Sequence, residues 1–420
     1  MTDPPDTRPT LLRAVLVATL AGGAALAASC AALWPSAEAL YAGFDFNAAL
    51  FEDFLGPYME TARRLAGGDA MPAEGYLYPA FGALLLVPFA GLGPTAASWL
   101  CAALMLGATV LLTASALALV RPRSTAAAAV VGTAFFLAHG VAHGAYWGQA
   151  SLVVAGLSAA GFALWSSGGA TPHARLRSNA GAALLGVAAA IKLTPLVFLV
   201  APIATRDRRA AGAALGTFVV CAVVLPLALL GFERFTFFHA EVIERLRWMA
   251  SWVATPEGGR GSQDPGALFA RAAGAPAWWV GRALGLAAAL LIVGAAARAL
   301  RASAPRERAR ALPLLAAVPW LVVGPTWPHA LAWIPLAWWI AWSGRERTAR
   351  PRAVAALVLS SVALGSVATL RLVGDPETFA RLGFPFAAAL LALVALLAAP
   401  GGPEDRNSGP AVSLDRPGGR

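Results

Sequence analysis

Lysine is all but missing from this chain. Of its 32 basic residues 31 are arginine, and the one lysine, Lys192, stands inside the apolar run "GVAAAIKLTPLVF", three residues before a proline. Charge of either sign is scarce: 13% of the residues are charged against 58% hydrophobic, which excludes an ordinary soluble domain. The three cysteines, Cys30, Cys101 and Cys221, lie in separate apolar runs, which excludes a disulfide framework and a zinc spacing. Glycine-rich loops of the P-loop or Rossmann kind are missing, so neither a nucleotide nor any other cofactor is expected. The net charge of +10 is spread as short arginine clusters between apolar runs rather than along one face, which removes nucleic acid as a partner.

What is present is hydrophobic length. Stretches of about 20 apolar residues, enough to cross a bilayer, recur from Leu11 to Ala399. The expected fold is an all-α, polytopic membrane helix bundle, with residues 1–400 as one integral unit and 401–420 as a disordered cytoplasmic tail. The first run, Leu11 to Trp34, exceeds a signal-peptide core and is expected to be retained. Arginine clusters at 8/13, 121/123, 175/177, 206–209, 298–310 and 345–352 mark the cytoplasmic side. Crossing parity between them predicts about twelve membrane segments with both termini inside. These are 11–34, 95–120, 124–138, 150–165, two short arms of 180–203, 210–230, 277–297, 312–324, 330–342, 353–372 and 385–399. Residues 78–93 are expected in the outer interface, and 35–78 and 231–276 as external loops. Pro195 supplies the break between the two short arms, which puts Lys192 at an outer tip. On this trace the inside holds 21 Arg against 8 acidic residues, and the outside 10 Arg and Lys192 against 14. That asymmetry has the sign a membrane protein requires.

The first external loop reads "FDFNAALFEDFLGPYMETARRLAGGDAMPAEGYLYP" and gathers Asp45, Glu52, Asp53, Glu60, Asp69 and Glu74 with Tyr58, Tyr76 and Tyr78. A carboxylate can take a proton from a sugar hydroxyl, and aromatic faces stack on a pyranose; the plainer alternative is acids that only solvate a loop. Short external turns add Trp147 and Gln149 in "HGVAHGAYWGQ", Lys192, and Trp327 and His329 in "GPTWPH". His139 and His143 have the i, i+4 spacing of paired metal ligands, yet no third ligand or HExxH glutamate accompanies them, so no metal is expected. Lys192 can snorkel to the interface; an ionisable group near the membrane interior more often faces a cavity.

Together these segments resemble glycosyltransferase family 87, membrane-embedded enzymes of the GT-C type that include polyprenol-phosphate-mannose-dependent mannosyltransferases. The resemblance is carried in order by "DFLGPYMETARRLAGG", "YLYPAFGALLLVPFAGL", "GQASLVVAGL" and "GAALLGVAAAIKLTPLVFL", with "SQDPGALFAR" and "GPTWPHALAWIPL" adding to it. It implies a GT-C bundle with juxtamembrane helices in the first external loop, in a bacterial plasma membrane, with the active site on the extracytoplasmic side. The implied hexosyltransferase moves one sugar, mannose first, from a polyprenyl-phosphate donor to a glycolipid or glycan acceptor with inversion. Asp53 is then the base and His329 positions a substrate group. Lys192, helped by Arg271 or Arg63, is placed at the donor phosphate, and Gln149, Trp147, Tyr58, Tyr76, Tyr78, Gln263 and Trp327 are further substrate contacts. Three departures stand out: Pro79-Ala80 replaces a pair of prolines, Ser262-Gln263-Asp264 replaces Asn-Gln-Ser, and the family's tyrosine stands one position nearer the aspartate than Tyr58. Two rival classes remain, a secondary transporter, which needs ionisable groups near the midplane of several spans, and a polysaccharide polymerase or ligase using lipid-linked substrates.

Overall fold

The computed structural model describes residues 9–33, 50–168, 171–255, 259, 261–302, 305–324, 326–374 and 376–399. Asp45 and the tail 401–420 lie outside the described residues. Among the described residues all regular structure is helical, apart from one isolated bridge between Ala138 and Ser366.

Among the described residues, four helices are long and apolar enough to cross a membrane: Leu11–Ser29, Pro94–Leu119, Arg208–Leu230 and Ala275–Leu300. Six shorter apolar helices of 10–17 residues accompany them, so the chain is a multi-pass, all-helical membrane protein. Helices of full spanning length do not reach the expected twelve, because chain breakers divide several of the runs. The run 353–372 forms two helices, Pro351–Leu364 and Val367–Val373, separated at Gly365 and restarted by Ser366, whose side chain accepts from Thr369 N.

The segment expected as two short arms differs in the same way. Its first arm is a 20-residue helix, Pro172–Ile191, with Arg175 and Arg177 inside its first turns rather than in a loop before it. The break falls where the sequence put it: Lys192 has an extended backbone, φ −147 and ψ 130. Pro195 then enters a tight turn, Thr194–Leu199, because it has no N–H for an α ladder and biases Thr194 away from helix. Residues 231–276 are also not simply a loop. They contain the 22-residue helix Phe232–Val253, whose scattered Glu and Arg residues lower its hydropathy below a membrane signal.

The Leu11–Leu33 helix packs along Thr125–Leu137, and Ala150–Ser166 packs between Pro94–Leu119 and Pro172–Ile191. Their buried faces are rich in small residues, among them Ala14, Ala18, Ala108, Ala159 and Ala182. In lipid, helices gain from close backbone approach rather than from leaving water, which favours such faces. Large apolar side chains such as Leu12, Leu20, Leu229 and Leu291 point outward instead, as a lipid-facing surface requires.

Candidate active site

The helix Met59–Ala66 is entered through a π turn, Phe54–Tyr58, directly after Asp53. Pro57 inside that turn cannot donate to an α ladder, and its carbonyl accepts from Thr61 Oγ1 at 2.6 Å. A π turn bonds residues five apart and so brings residue i over residue i+5. Asp53 and Tyr58 accordingly share one partner: Gln149 Nε2 donates to Asp53 Oδ2, and the Tyr58 hydroxyl donates to Gln149 Oε1 at 3.0 Å. The tyrosine that the resemblance places four residues after the aspartate stands here at five, and the π turn returns it to the aspartate's face. Two residues earlier Phe51 has φ +64, a strained value for a bulky residue, and its amide donates to Tyr146 O at 2.8 Å.

Gln149 is delivered from the other side of the site. The stretch expected as a turn at 139–149 forms a helix, His139–Trp147, which ends at Gly148 in the left-handed region, φ 67 and ψ 36. Such an ending suits glycine, and it lets Gln149 N donate to Gly144 O at 2.8 Å. A Cβ on Gly148 would lie 2.7 Å from Cys101 Sγ and 2.7 Å from Phe54 Cβ, so a larger residue would push Gln149 off the aspartate. Two turns back, Gly140 meets the turn Pro328–Leu331; a Cβ there would stand 2.9 Å from the Leu331 carbonyl carbon. That close approach brings the His329 ring to 5.6 Å from the His143 ring, centroid to centroid.

Lys192 Nζ donates to Ser151 Oγ at 2.7 Å and lies 5.1 Å from the centroid of the Tyr78 ring. The Tyr78 hydroxyl in turn lies 3.3 Å from Gln149 Oε1 and 3.2 Å from the Tyr58 hydroxyl. Carboxylate and ammonium are thus joined through Gln149 and Tyr78. Lys192, Ser151, Thr326 and His329 face a cavity of about 130 Å³ whose remaining wall, including Trp320 and Trp333, is largely apolar. A second cavity of about 220 Å³ is bounded by Tyr58, Tyr76 and Tyr78 and otherwise by apolar side chains, among them Leu85, Phe89 and Leu104.

Burial dominates the electrostatics. It raises the Tyr58 pKa well above the ordinary phenol value, with Tyr78 and Asp53 adding to the effect, so the hydroxyl stays a donor. Burial pushes His329 well below the ordinary imidazole value, followed by the positive Lys192 and by His143. His143 is lowered by burial and then by His139, and burial takes His139 down to about 3. All three rings are therefore neutral near pH 7. Among the described residues, Nδ1 of each, and the indole Nε1 of Trp147, are buried without a hydrogen-bond partner. Trp147 stacks on His143 at 6.0 Å and 27°. Among the described residues no three His, Cys, Asp or Glu side chains are arranged to hold a metal ion.

Other residues singled out in the sequence are engaged elsewhere. Arg63 lies 3.7 Å from Glu60, and Arg271 donates to the carbonyls of Gly259 and Ser262. Gln263 Nε2 donates to Gly261 O and Ala380 O, each at 3.1 Å, while Trp327 packs over Gly261. None of these four lines either cavity. The Tyr76 hydroxyl donates to Pro79 O at 2.9 Å, so Tyr76 offers its ring to the cavity wall. The Ser262-Gln263-Asp264 segment is fully buried and acts as a brace: Ser262 Oγ donates to Asp264 Oδ2 at 2.5 Å and accepts from Thr326 N at 3.0 Å.

Sequence reasoning missed Ser151, Gly140, Gly148 and Arg245. The spacing of four between Gly140, Gly144 and Gly148 was a readable sign of a tightly packed helix face. Nothing local marks Arg245, whose guanidinium crosses from the Phe232–Val253 helix to donate to the carbonyls of Pro72 and Ala73.

The model of glycosyltransferase family 87 matches residues 76–325, more than half of the chain. That span contains Tyr78, Gln149, Ser151 and Lys192, with Asp53 and His329 on its flanks. No curated protein and no solved structure matches the chain. By the match over residues 76–325 the chain belongs to glycosyltransferase family 87 and is a membrane glycosyltransferase.

Proposed function

We propose that this protein moves a single sugar, mannose in the first instance, from a polyprenyl-phosphate donor to a glycolipid or glycan acceptor. Transfer takes place on the extracytoplasmic face of a bacterial plasma membrane and inverts the anomeric carbon. The observation that carries this reading is the hydrogen-bonded link from Asp53 through Gln149 to Tyr78, whose ring lies beneath the Lys192 ammonium. It supplies a base and a cation at one place, next to a cavity with an apolar wall.

A polyprenyl phosphate is already a leaving group, so two operations suffice. Asp53 takes the proton of the acceptor hydroxyl as that oxygen attacks the anomeric carbon. The bond from that carbon to the phosphate oxygen breaks, and Lys192 meets the charge that develops on the departing phosphate. Gln149, donating to Asp53, fixes the direction of the carboxylate. Ser151 accepts from Lys192 and holds the ammonium. Of the buried polar groups without partners among the described residues, the neutral His329 lines the cavity, which suits a sugar hydroxyl, since buried polar groups otherwise find partners. The arginine clusters, which favour the cytoplasm, support a Lys192 end of the bundle on the outside.

Membranes containing the protein, supplied with labelled polyprenyl-phosphate mannose, test the reading. Wild type is expected to label an acceptor, whereas Asp53→Asn keeps expression and donor binding and loses transfer. Continued turnover by Asp53→Asn would remove Asp53 as the base.

A further inference from the structure

A third cavity, polar and of about 350 Å³, lies at the opposite end of the helices that carry the active site. The Ala150–Ser166 and Pro172–Ile191 helices run antiparallel, with Ser151 and Lys192 at one end and Trp165, Arg175 and Ser178 at the other. At 1.5 Å per residue the two ends are about 25 Å apart, close to the thickness of a bilayer core.

Three guanidinium groups line this cavity, those of Arg175, Arg209 and Arg308, against the single carboxylate of Asp207. Asp207 is already used, since its Oδ1 accepts from Ala210 N at 3.1 Å as the cap of the Arg208–Val219 helix. Among the described residues neither Arg175 nor Arg209 forms an ion pair. Both arginines sit in the first turns of helices that carry no acidic residue there. The N-terminal end of a helix is the positive end of its dipole, where a cation is unfavourable. Among its described lining residues the cavity thus holds an excess of guanidinium over carboxylate. Leu164, Leu176 and Ile203, close in sequence to the lining residues Trp165, Arg175 and Thr205, are exposed apolar side chains, as a lipid-facing surface requires.

We propose that this cavity binds the phosphate headgroup of an anionic phospholipid in the leaflet opposite the active site, held by Arg175, Arg209 and Arg308. Basic pockets between membrane helices on the cytoplasmic side suit such headgroups. The same chemistry would accept a free phosphate, but the exposed apolar flank favours the lipid.

The test uses the full-length protein in detergent, with thermal unfolding and native mass spectrometry as readouts. Phosphatidylglycerol in mixed micelles is expected to raise the melting temperature and to be retained, while phosphatidylcholine and inorganic phosphate do neither. Arg175→Gln/Arg209→Gln should weaken phosphatidylglycerol binding about tenfold, and Arg209→Gln alone by less. The charge-matched control Arg350→Gln/Arg352→Gln, on exposed positions outside the cavity, should bind as wild type does. Equal weakening in the two double variants would mean that net charge alone attracts the lipid, and would overturn the site. Stabilisation by inorganic phosphate equal to that by phosphatidylglycerol would overturn the lipid assignment.

Discussion

Gln149 donates through its amide nitrogen to Asp53 while its amide oxygen accepts from Tyr58, so one side chain fixes both the carboxylate and the phenol. Replacing Gln149 by Leu strips both of a partner in a buried setting, which costs about 1–3 kcal/mol for an unsatisfied polar group. Turnover of Gln149→Leu is expected to fall roughly 10- to 100-fold, with Tyr58→Phe milder because it removes one bond of the network. In a double-mutant cycle the two losses should be less than additive, since the residues share a partner. Strict additivity of log kcat would show that they act independently.

Lys192 should tolerate no neutral substitute. Lys192→Ala is expected to weaken donor binding or slow departure of the phosphate by roughly 100-fold, the scale of a lost charge-stabilising contact. Ser151→Ala leaves the ammonium in place but unanchored, and a smaller loss of about threefold to tenfold follows if Ser151 contributes about one ordinary hydrogen bond. Initial rates at varied donor concentration separate the two, and wild-type kinetics for Lys192→Ala would return the residue to a snorkelling role.

Gly148 is a point of failure in the fold. Alanine there meets an unfavourable φ and two atoms at 2.7 Å, Cys101 Sγ and Phe54 Cβ. A loss of roughly 2 kcal/mol or more is expected from the strain and overpacking combined, together with loss of activity as Gln149 shifts. Adding Cys101→Ala to Gly148→Ala removes one of the two clashes and should recover part of the melting temperature. No recovery would place the cost in the backbone angle and the Phe54 contact.

Arg245 ties the loop that leads into Tyr76 and Tyr78 to the Phe232–Val253 helix by donating to the carbonyls of Pro72 and Ala73. Lysine cannot reproduce the fork of a guanidinium. Arg245→Lys is therefore expected to raise KM several-fold with a smaller change in kcat, and to speed proteolysis of the 69–78 loop; unaltered kinetics and protection would mean that the strap is dispensable.

Acid should unfold the protein through its buried imidazoles. The His139 pKa is held at about 3, below the value of about 6.5 in an unfolded chain. As pH falls below 6.5 the unfolded chain takes up the proton and the folded one does not, so stability declines through that window. By pH 5 the loss from His139 amounts to roughly 2 kcal/mol. His139→Gln should flatten the fall of melting temperature between pH 6.5 and 5, and an unaltered slope would assign it to other groups.

The sequence by itself determined the solvent, the helical class, the break at Lys192 and the family. Each is written in a local quantity: hydropathy over a window, a proline three residues past the lone lysine, and short motifs in a fixed order. The family motifs pointed to the first external loop and the Lys192 tip as parts of one site. Tertiary structure alone decided which of the remaining candidates lie in contact with them. Gln149 and Asp53 are 96 residues apart, and only the left-handed Gly148 and the π turn after Asp53 bring them to one hydrogen bond. Arg63, Arg271 and Gln263 carry polar chemistry too, yet the fold sets Arg63 beside Glu60 and turns Arg271 and Gln263 toward backbone carbonyls, away from the Lys192 cavity. Hydropathy also could not find the Phe232–Val253 helix or count the crossings, because a buried helix end with glycine, proline or arginine in it is judged by its neighbours. Residue type proposes a role, and the partners that the fold brings within about 3 Å decide whether the side chain remains available for it.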